Sequence, residues 1–124
     1  MEQYMTIKTK FNKETKTYKM TYYDELNQIH RDNGPAEIIW DEDGIIYERY
    51  YKDGKLHRDN GPAEIRYYRG EIVNLEKYFK NGIPHREDGP AFISYNCWGS
   101  IITESYWLNG KEITEELQIM MMGG

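Results

Sequence analysis

The sequence predicts an all-β fold: an antiparallel meander of stacked hairpin repeats, with an N-terminal hairpin cap and a short C-terminal helix. Three observations predict it. The motif His-Arg-Asp-Asn-Gly-Pro-Ala-Glu-Ile begins at His30 and again at His57, and returns as His-Arg-Glu-Asp-Gly-Pro-Ala-Phe-Ile at His85, at spacings of 27 and 28 residues. Each copy continues into alternating apolar and polar residues, the period of a strand with one buried face. Each block then reaches Asp53-Gly54, Asn81-Gly82 or Asn109-Gly110, pairs that supply the two positive φ angles of a type I′ hairpin turn.

Taken in order, Thr6 to Phe11 and Tyr18 to Tyr23 flank Asn12-Lys13-Glu14-Thr15 and read as a capping hairpin over residues 1–23. Repeats follow at 24–51, 52–79 and 80–107. Their first strands place Ala36, Ile38 and Trp40, then Ala63, Ile65 and Tyr67, then Ala91, Ile93 and Tyr95 inward, with Glu64 and Arg66 alternating outward. Turns at Asp41 to Gly44, Tyr68 to Gly70 and Asn96 to Gly99 lead to second strands over Ile45 to Tyr51, Ile72 to Phe79 and Ile101 to Trp107. A short third strand completes each repeat. The Asx-Gly-Pro break is a corner, because proline removes a backbone donor and fixes its own φ, while Asx side chains bond nearby backbone. Residues 108–124 close the array. Thr114 is placed to cap a helix with acids in its first turn, and the helix's apolar side should cover the last repeat, as terminal units of repeat proteins must. Met121 to Gly124 read as a frayed tail. The second strands carry rings on both faces, Tyr51, Phe79 and Trp107 on one and Tyr50, Tyr78 and Tyr106 on the other. Which face is covered, and whether a second copy forming a homodimer covers it, stays open.

A chain of 124 residues is the size of one domain. Hydrophobic residues make up only 39% while aromatics reach 15%, with 12 tyrosines; a thin sheet covered by amphipathic rings fits that balance better than a thick aliphatic core. The single cysteine, Cys97, allows no intrachain disulfide and no cysteine-based zinc cluster. No apolar run has the length of a membrane span and the start lacks a signal-peptide profile, so a cytoplasmic protein is expected. Net charge is −5, although the first twenty residues hold five lysines against two glutamates. The acidic body disfavours nucleic acid and anionic lipid as partners. The lysine-rich hairpin reads as an edge strand guarded against aggregation.

Three sets of residues invite a functional reading. The pairs His30-Arg31, His57-Arg58 and His85-Arg86 suggest an anion-receptive ridge, or else groups that build each turn, the Arg pairing with the neighbouring acid and the His bonding a turn carbonyl. Equivalent residues of stacked hairpins lie roughly 10 Å apart, too far for three histidines to share one metal ion. Glu48, Glu76 and Glu104 recur two residues before Tyr50, Tyr78 and Tyr106. A carboxylate ladder at that spacing is at the limit for paired acid and base work, so a partner-contacting Glu/Tyr face is the better expectation. Cys97 stands in a turn with no histidine fixed beside it. No nucleophile-elbow, phosphate-loop or zinc-protease motif is present. The expectation is a protein without catalytic residues, cofactor or metal.

The stretch Tyr51-Lys52-Asp53-Gly54-Lys55-Leu56-His57, with its partners at 79–85 and 107–111, resembles the MORN-type repeat, whose core runs aromatic, spacer, Asn or Asp-Gly-Lys, spacer, His-Gly. The resemblance covers residues 23–111. The chain departs from the family by carrying His-Arg-x-Asx-Gly-Pro-Ala where His-Gly is usual, and by a longer period. That extended form is similar to repeats in small proteins of phages and large DNA viruses and in bacterial antitoxin-like proteins. The resemblance implies a single-layer sheet used for binding without catalysis. Members are credited with protein scaffolding and with lipid contact; the acidic body here argues against the latter, and no residue matches a partner-specific signature.

The leading functional expectation is therefore a non-catalytic module that binds another protein, as a phage or viral accessory factor inhibiting a host protein would. The alternative is a binder of a phosphate-bearing ligand such as a nucleotide through the His-Arg ridge. A structural component of a particle is the third.

Overall fold

The computed structural model describes residues 6–123. Nine strands form one antiparallel sheet in which neighbours in space follow the order of the chain: β1 (Thr6–Asn12), β2 (Thr17–Tyr23), β3 (Glu37–Asp41), β4 (Gly44–Arg49), β7 (Glu64–Tyr68), β8 (Ile72–Lys77), β11 (Phe92–Tyr95), β12 (Ile101–Leu108) and β13 (Lys111–Ile113). Two-residue ribbons, β5 (Tyr51–Lys52) with β6 (Lys55–Leu56) and β9 (Phe79–Lys80) with β10 (Ile83–Pro84), stand outside the main sheet. Helix α1 (Glu115–Gly123) follows β13. The meander of hairpins expected from the repeats is present.

The unit is more finely divided than the sequence suggests. The second strand stops at Arg49 and Lys77, and the following Tyr51 and Phe79 start the separate ribbons instead of extending it. Tyr50 and Tyr78 sit at the break, their amides turned to Ala63 and Ala91 of the next unit. Only the last copy runs unbroken into its ribbon partner, β12 pairing Tyr106 with Ile113 and Leu108 with Lys111. At all three tips the first turn residue has φ near 50° (Asp53 51°, Asn81 51°, Asn109 50°) and the glycine φ near 80° (80°, 80°, 82°), the type I′ geometry expected of Asx-Gly. A register shift recurs at the same place in every unit, between Ile39 and Trp40, Arg66 and Tyr67, and Ser94 and Tyr95. Such bulges strengthen the local twist, and nothing in the composition of the strands announces them.

The N-terminal hairpin is bonded as a member of the array. Tyr22 donates to the Ala36 carbonyl at 2.8 Å, as Tyr50 does to Ala63 and Tyr78 to Ala91 at 2.7 Å. After β2, in the place of a ribbon tip, stands a longer loop in which Asp24 Oδ1 accepts from the amides of Leu26 and Gln28, both at 2.9 Å, and Asn27 takes φ 62°. Residues 1–5 of the expected cap lie outside the described residues.

The core is thin. Among the described residues only Tyr22, Ala36, Ala63, Ala91 and Ile93 are buried hydrophobics, and no large side chain is fully enclosed. The accessible surface of 8238 Å² exceeds the roughly 7,000 Å² that size scaling gives a compact chain of this mass, as a single-layer sheet should. Among the described residues, no helix is long and apolar enough to cross a membrane.

Helix α1 docks otherwise than expected. Thr114 caps it, its Oγ1 accepting from the Leu117 amide at 3.1 Å, but Leu117, Ile119 and Met120 to Met122 are exposed. The buried residue is Gln118, whose Nε2 donates to the carbonyls of Arg86 and Gly89 at 2.8 and 2.9 Å. A polar plug therefore closes the last corner, because that corner presents backbone carbonyls rather than apolar surface. Met121 and Met122, expected in a frayed tail, belong to the helix; Gly124 lies outside the described residues.

Candidate functional site

Each corner is built in the same way. The histidine amide donates to the carbonyl of the tyrosine at the strand break, His30 to Tyr22, His57 to Tyr50 and His85 to Tyr78, at 3.0, 3.0 and 3.1 Å. That bond holds the ring beneath the tip of the following ribbon. There Nδ1 of His30, His57 and His85 accepts from the amides of Asp53, Asn81 and Asn109 at 3.0, 3.0 and 2.9 Å. A nitrogen that accepts from an N–H carries no hydrogen, so the geometry assigns the ring hydrogen to Nε2. Nε2 faces the carboxylates of Asp32, Asp59 and Glu87 at 2.8, 2.9 and 3.4 Å. The histidine thus bonds a turn amide, the reverse of the carbonyl contact expected.

The arginines complete the corner. Arg31, Arg58 and Arg86 lie over the rings of Tyr22, Tyr50 and Tyr78 with 4.1, 3.9 and 4.1 Å from Cζ to the ring centre. Their Nη1 atoms donate to the carbonyls of Pro35, Pro62 and Pro90 at 3.2, 3.2 and 3.0 Å. Pairing with the neighbouring acid holds for Arg86, whose Nε meets Asp88 at 3.1 Å. The motif's glycine has a steric reason: a Cβ on Gly34, Gly61 or Gly89 would stand 3.0, 2.9 or 2.9 Å from the guanidinium carbon. The histidine side chains are only 13%, 11% and 10% exposed, so they form no open row of cationic heads. A groove of about 460 Å³ between the second and third corners gathers Arg58, Lys80, His85 and Arg86, but Asp59, Glu87 and Asp88 line it too, and their charge opposes a phosphate.

The Glu/Tyr set is also consumed by the array, except at its end. Tyr67 donates to Glu48 and Tyr95 to Glu76, both at 2.5 Å, across the junction between units. Burial and then the Glu48 bond hold the Tyr67 phenol above its ordinary range, and burial with the Glu76 bond pushes Tyr95 up to about 12. Tyr50 and Tyr78 lie under their arginines. In the last unit the pattern is incomplete. Tyr106 donates to Glu115 at 2.9 Å, and among the described residues no hydrogen bond or ion pair reaches the exposed Glu104.

Two features escape a linear reading. On the other face, Glu37 and Glu64 are buried, 5% and 6% exposed, although strand alternation placed Glu64 outward. Arg49 bridges them, Nη1 to Glu37 at 3.0 Å and Nε to Glu64 at 3.2 Å, while Arg66 Nε meets Glu64 at 2.8 Å and Lys19 meets Glu37 at 3.5 Å. In the third unit Phe92 replaces this glutamate and packs between Phe79 and Trp107, centroids 5.8 and 5.4 Å away. The second feature is a grouping of Asp24, His30 and Asp53, one donor atom of each within 4.8 Å of the others. The His30 ring is already engaged by the Asp53 amide and Asp32, and an Asp24 oxygen by its own loop, so these groups are spent on the fold.

What remains open is the last edge. Tyr47–Arg49 pair outward with β7, and Leu75–Lys77 with β11. Their counterparts Thr103–Ser105 pair with β11 on one side and, among the described residues, with no strand on the other. Ile101 to Glu104 are all exposed, and Trp98 in the preceding turn is 84% exposed. The opposite edge, β1, carries Lys8 and Lys10. Comparison with protein-family models, with curated proteins and with solved structures gives no match.

Proposed function

We propose that the protein is a non-catalytic module that binds another protein, and that the uncovered edge of β12 is where it does so. One observation carries this reading. The groups that could have formed a reactive set are fixed in structural bonds repeated unit by unit, whereas the last unit leaves a β-branched edge and a large aromatic side chain in water. Edge strands are normally blunted by lysine, proline or a covering element; β1 bears lysines, and among the described residues β12 over Ile101 to Ser105 has none of these. Addition of a strand to such an edge is a recurring mode of protein recognition. Inhibition of a host protein by a phage or viral accessory factor is the finer form of the proposal, and it draws on the resemblance to MORN-type and phage repeats alone. The test is affinity capture with the intact chain and with Glu104→Pro. A protein retained by the first and lost by the second supports the reading; recovery of no saturable protein partner, or of partners indifferent to the substitution, contradicts it.

A further inference from the structure

We propose that the β12 edge selects an extended strand of pattern Ile-x-Tyr, presented by another protein, with the tyrosine hydroxyl donated to Glu104. The inference rests on the reading of that edge as the docking site and names what docks there.

The argument comes from the two complete junctions. Glu48 stands opposite Ile65 and Glu76 opposite Ile93. Two residues further on, Tyr67 and Tyr95 reach back to bond those glutamates. Two residues before, Ala63 and Ala91 accept from the amides of Tyr50 and Tyr78 and are wholly buried. Alanine is therefore the residue that fits beneath the junction, isoleucine the one that faces the glutamate, and tyrosine the one that satisfies it. The third copy of this half-site is Glu104 with Tyr106; Ile113 of β13 already stands opposite Tyr106, where the other junctions place alanine, and the Glu104 part is unfilled. Its backbone is correctly turned. The Ser105 carbonyl accepts from Ala91 at 2.8 Å, so Ser105 faces inward, and by alternation the amide and carbonyl of Glu104 face the open side. The closest alternative occupant is β1 of a second copy. At the tyrosine position it offers Phe11, which pairs with Tyr18 as Trp40 does but has no hydroxyl for Glu104, and it would bring Lys8 and Lys10 into the junction.

A labelled peptide copying residues 64–69, Glu-Ile-Arg-Tyr-Tyr-Arg, tests the proposal by fluorescence anisotropy against the full chain. Saturable binding is expected. Replacing the peptide tyrosine at the position of Tyr67 by phenylalanine should weaken it about tenfold, the scale of a hydrogen bond to a charged group. That difference should vanish on Glu104→Ala, and binding should disappear on Glu104→Pro, whose fold is checked by the unchanged amide spectrum of β7 and β8. Absence of saturable binding overturns the proposal, as does binding that ignores both Glu104 variants. Edge-dependent capture of a protein without peptide binding overturns the strand pattern while leaving the docking edge intact. Self-association abolished by Glu104→Pro, again without peptide binding, overturns it in favour of a second copy.

Discussion

At the scale of the residue, His57 explains why a histidine recurs at each corner. Its ring has an acceptor nitrogen for the Asn81 amide and a donor nitrogen for Asp59, both near 3 Å; no other neutral side chain of that shape offers both. Arg58 is held by a ring below, a carbonyl ahead and a glycine beside it, so the dipeptide and its glycine are a single device. The junction tyrosines have a consequence for pH. Tyr95 ionises near 12 when folded against an ordinary 10.0, so the folded state favours the neutral phenol. The stability this contributes is complete below pH 10 and is lost as pH rises through the folded value. The denaturation midpoint should therefore hold steady up to pH 10 and fall between 10 and 12, and Tyr95→Phe should make that fall shallower. A profile identical in the variant would contradict the assignment.

At the scale of the element, the sequence made the turns legible because type I′ geometry and the Gly-Pro corner depend on residues adjacent in the chain. The strand breaks at Tyr50 and Tyr78, the recurrent bulge and the burial of Glu37 and Glu64 were not legible, since each depends on a partner in a neighbouring unit. Alternation put Glu64 outward; Arg49 and Arg66 made the other face habitable for it. Burial alone would raise the Glu64 carboxyl, but the Arg66 bond and the Arg49 charge outweigh it and hold the group below its ordinary 4.5. A lowered carboxyl contributes stability above pH 4.5 that disappears as pH falls through the folded value. Thermal melts should accordingly show a loss below pH 4.5 that Glu64→Gln reduces; an equally steep acid limb in the variant would refute the network's role. Helix α1 was found from its cap and acids, while its anchor was misjudged because Gln118 answers carbonyls of a distant corner. Gln118→Ala removes two bonds to half-buried carbonyls and should cost about 1–3 kcal/mol, read as early loss of the helical signal in circular dichroism with the sheet retained. Concerted loss of both signals at the native midpoint would show that the plug does not hold the helix.

At the scale of the whole molecule, a chain with no large fully buried side chain among its described residues must draw its order from junctions repeated along the array, as in other quasi-one-dimensional proteins. The threefold motif gave the architecture; its extension to the N-terminal hairpin, where Tyr22 and His30 repeat the bonds without the Asx-Gly tip, was hidden by a loop one residue longer. The candidate site was legible only in part. The residues named from the sequence are placed next to one another, Arg58 on Tyr50 and Arg86 on Tyr78, but as the fastenings of the array. Only Glu104 at its end stays unengaged, a property of being last that no motif records. The central claim is that each histidine fastens the tip of the unit after it, and amide hydrogen exchange of His57→Ala tests this most directly. Protection should be lost at Asn81 while Asp53 and Asn109, held by His30 and His85, keep theirs. Unchanged protection at Asn81 would contradict the account.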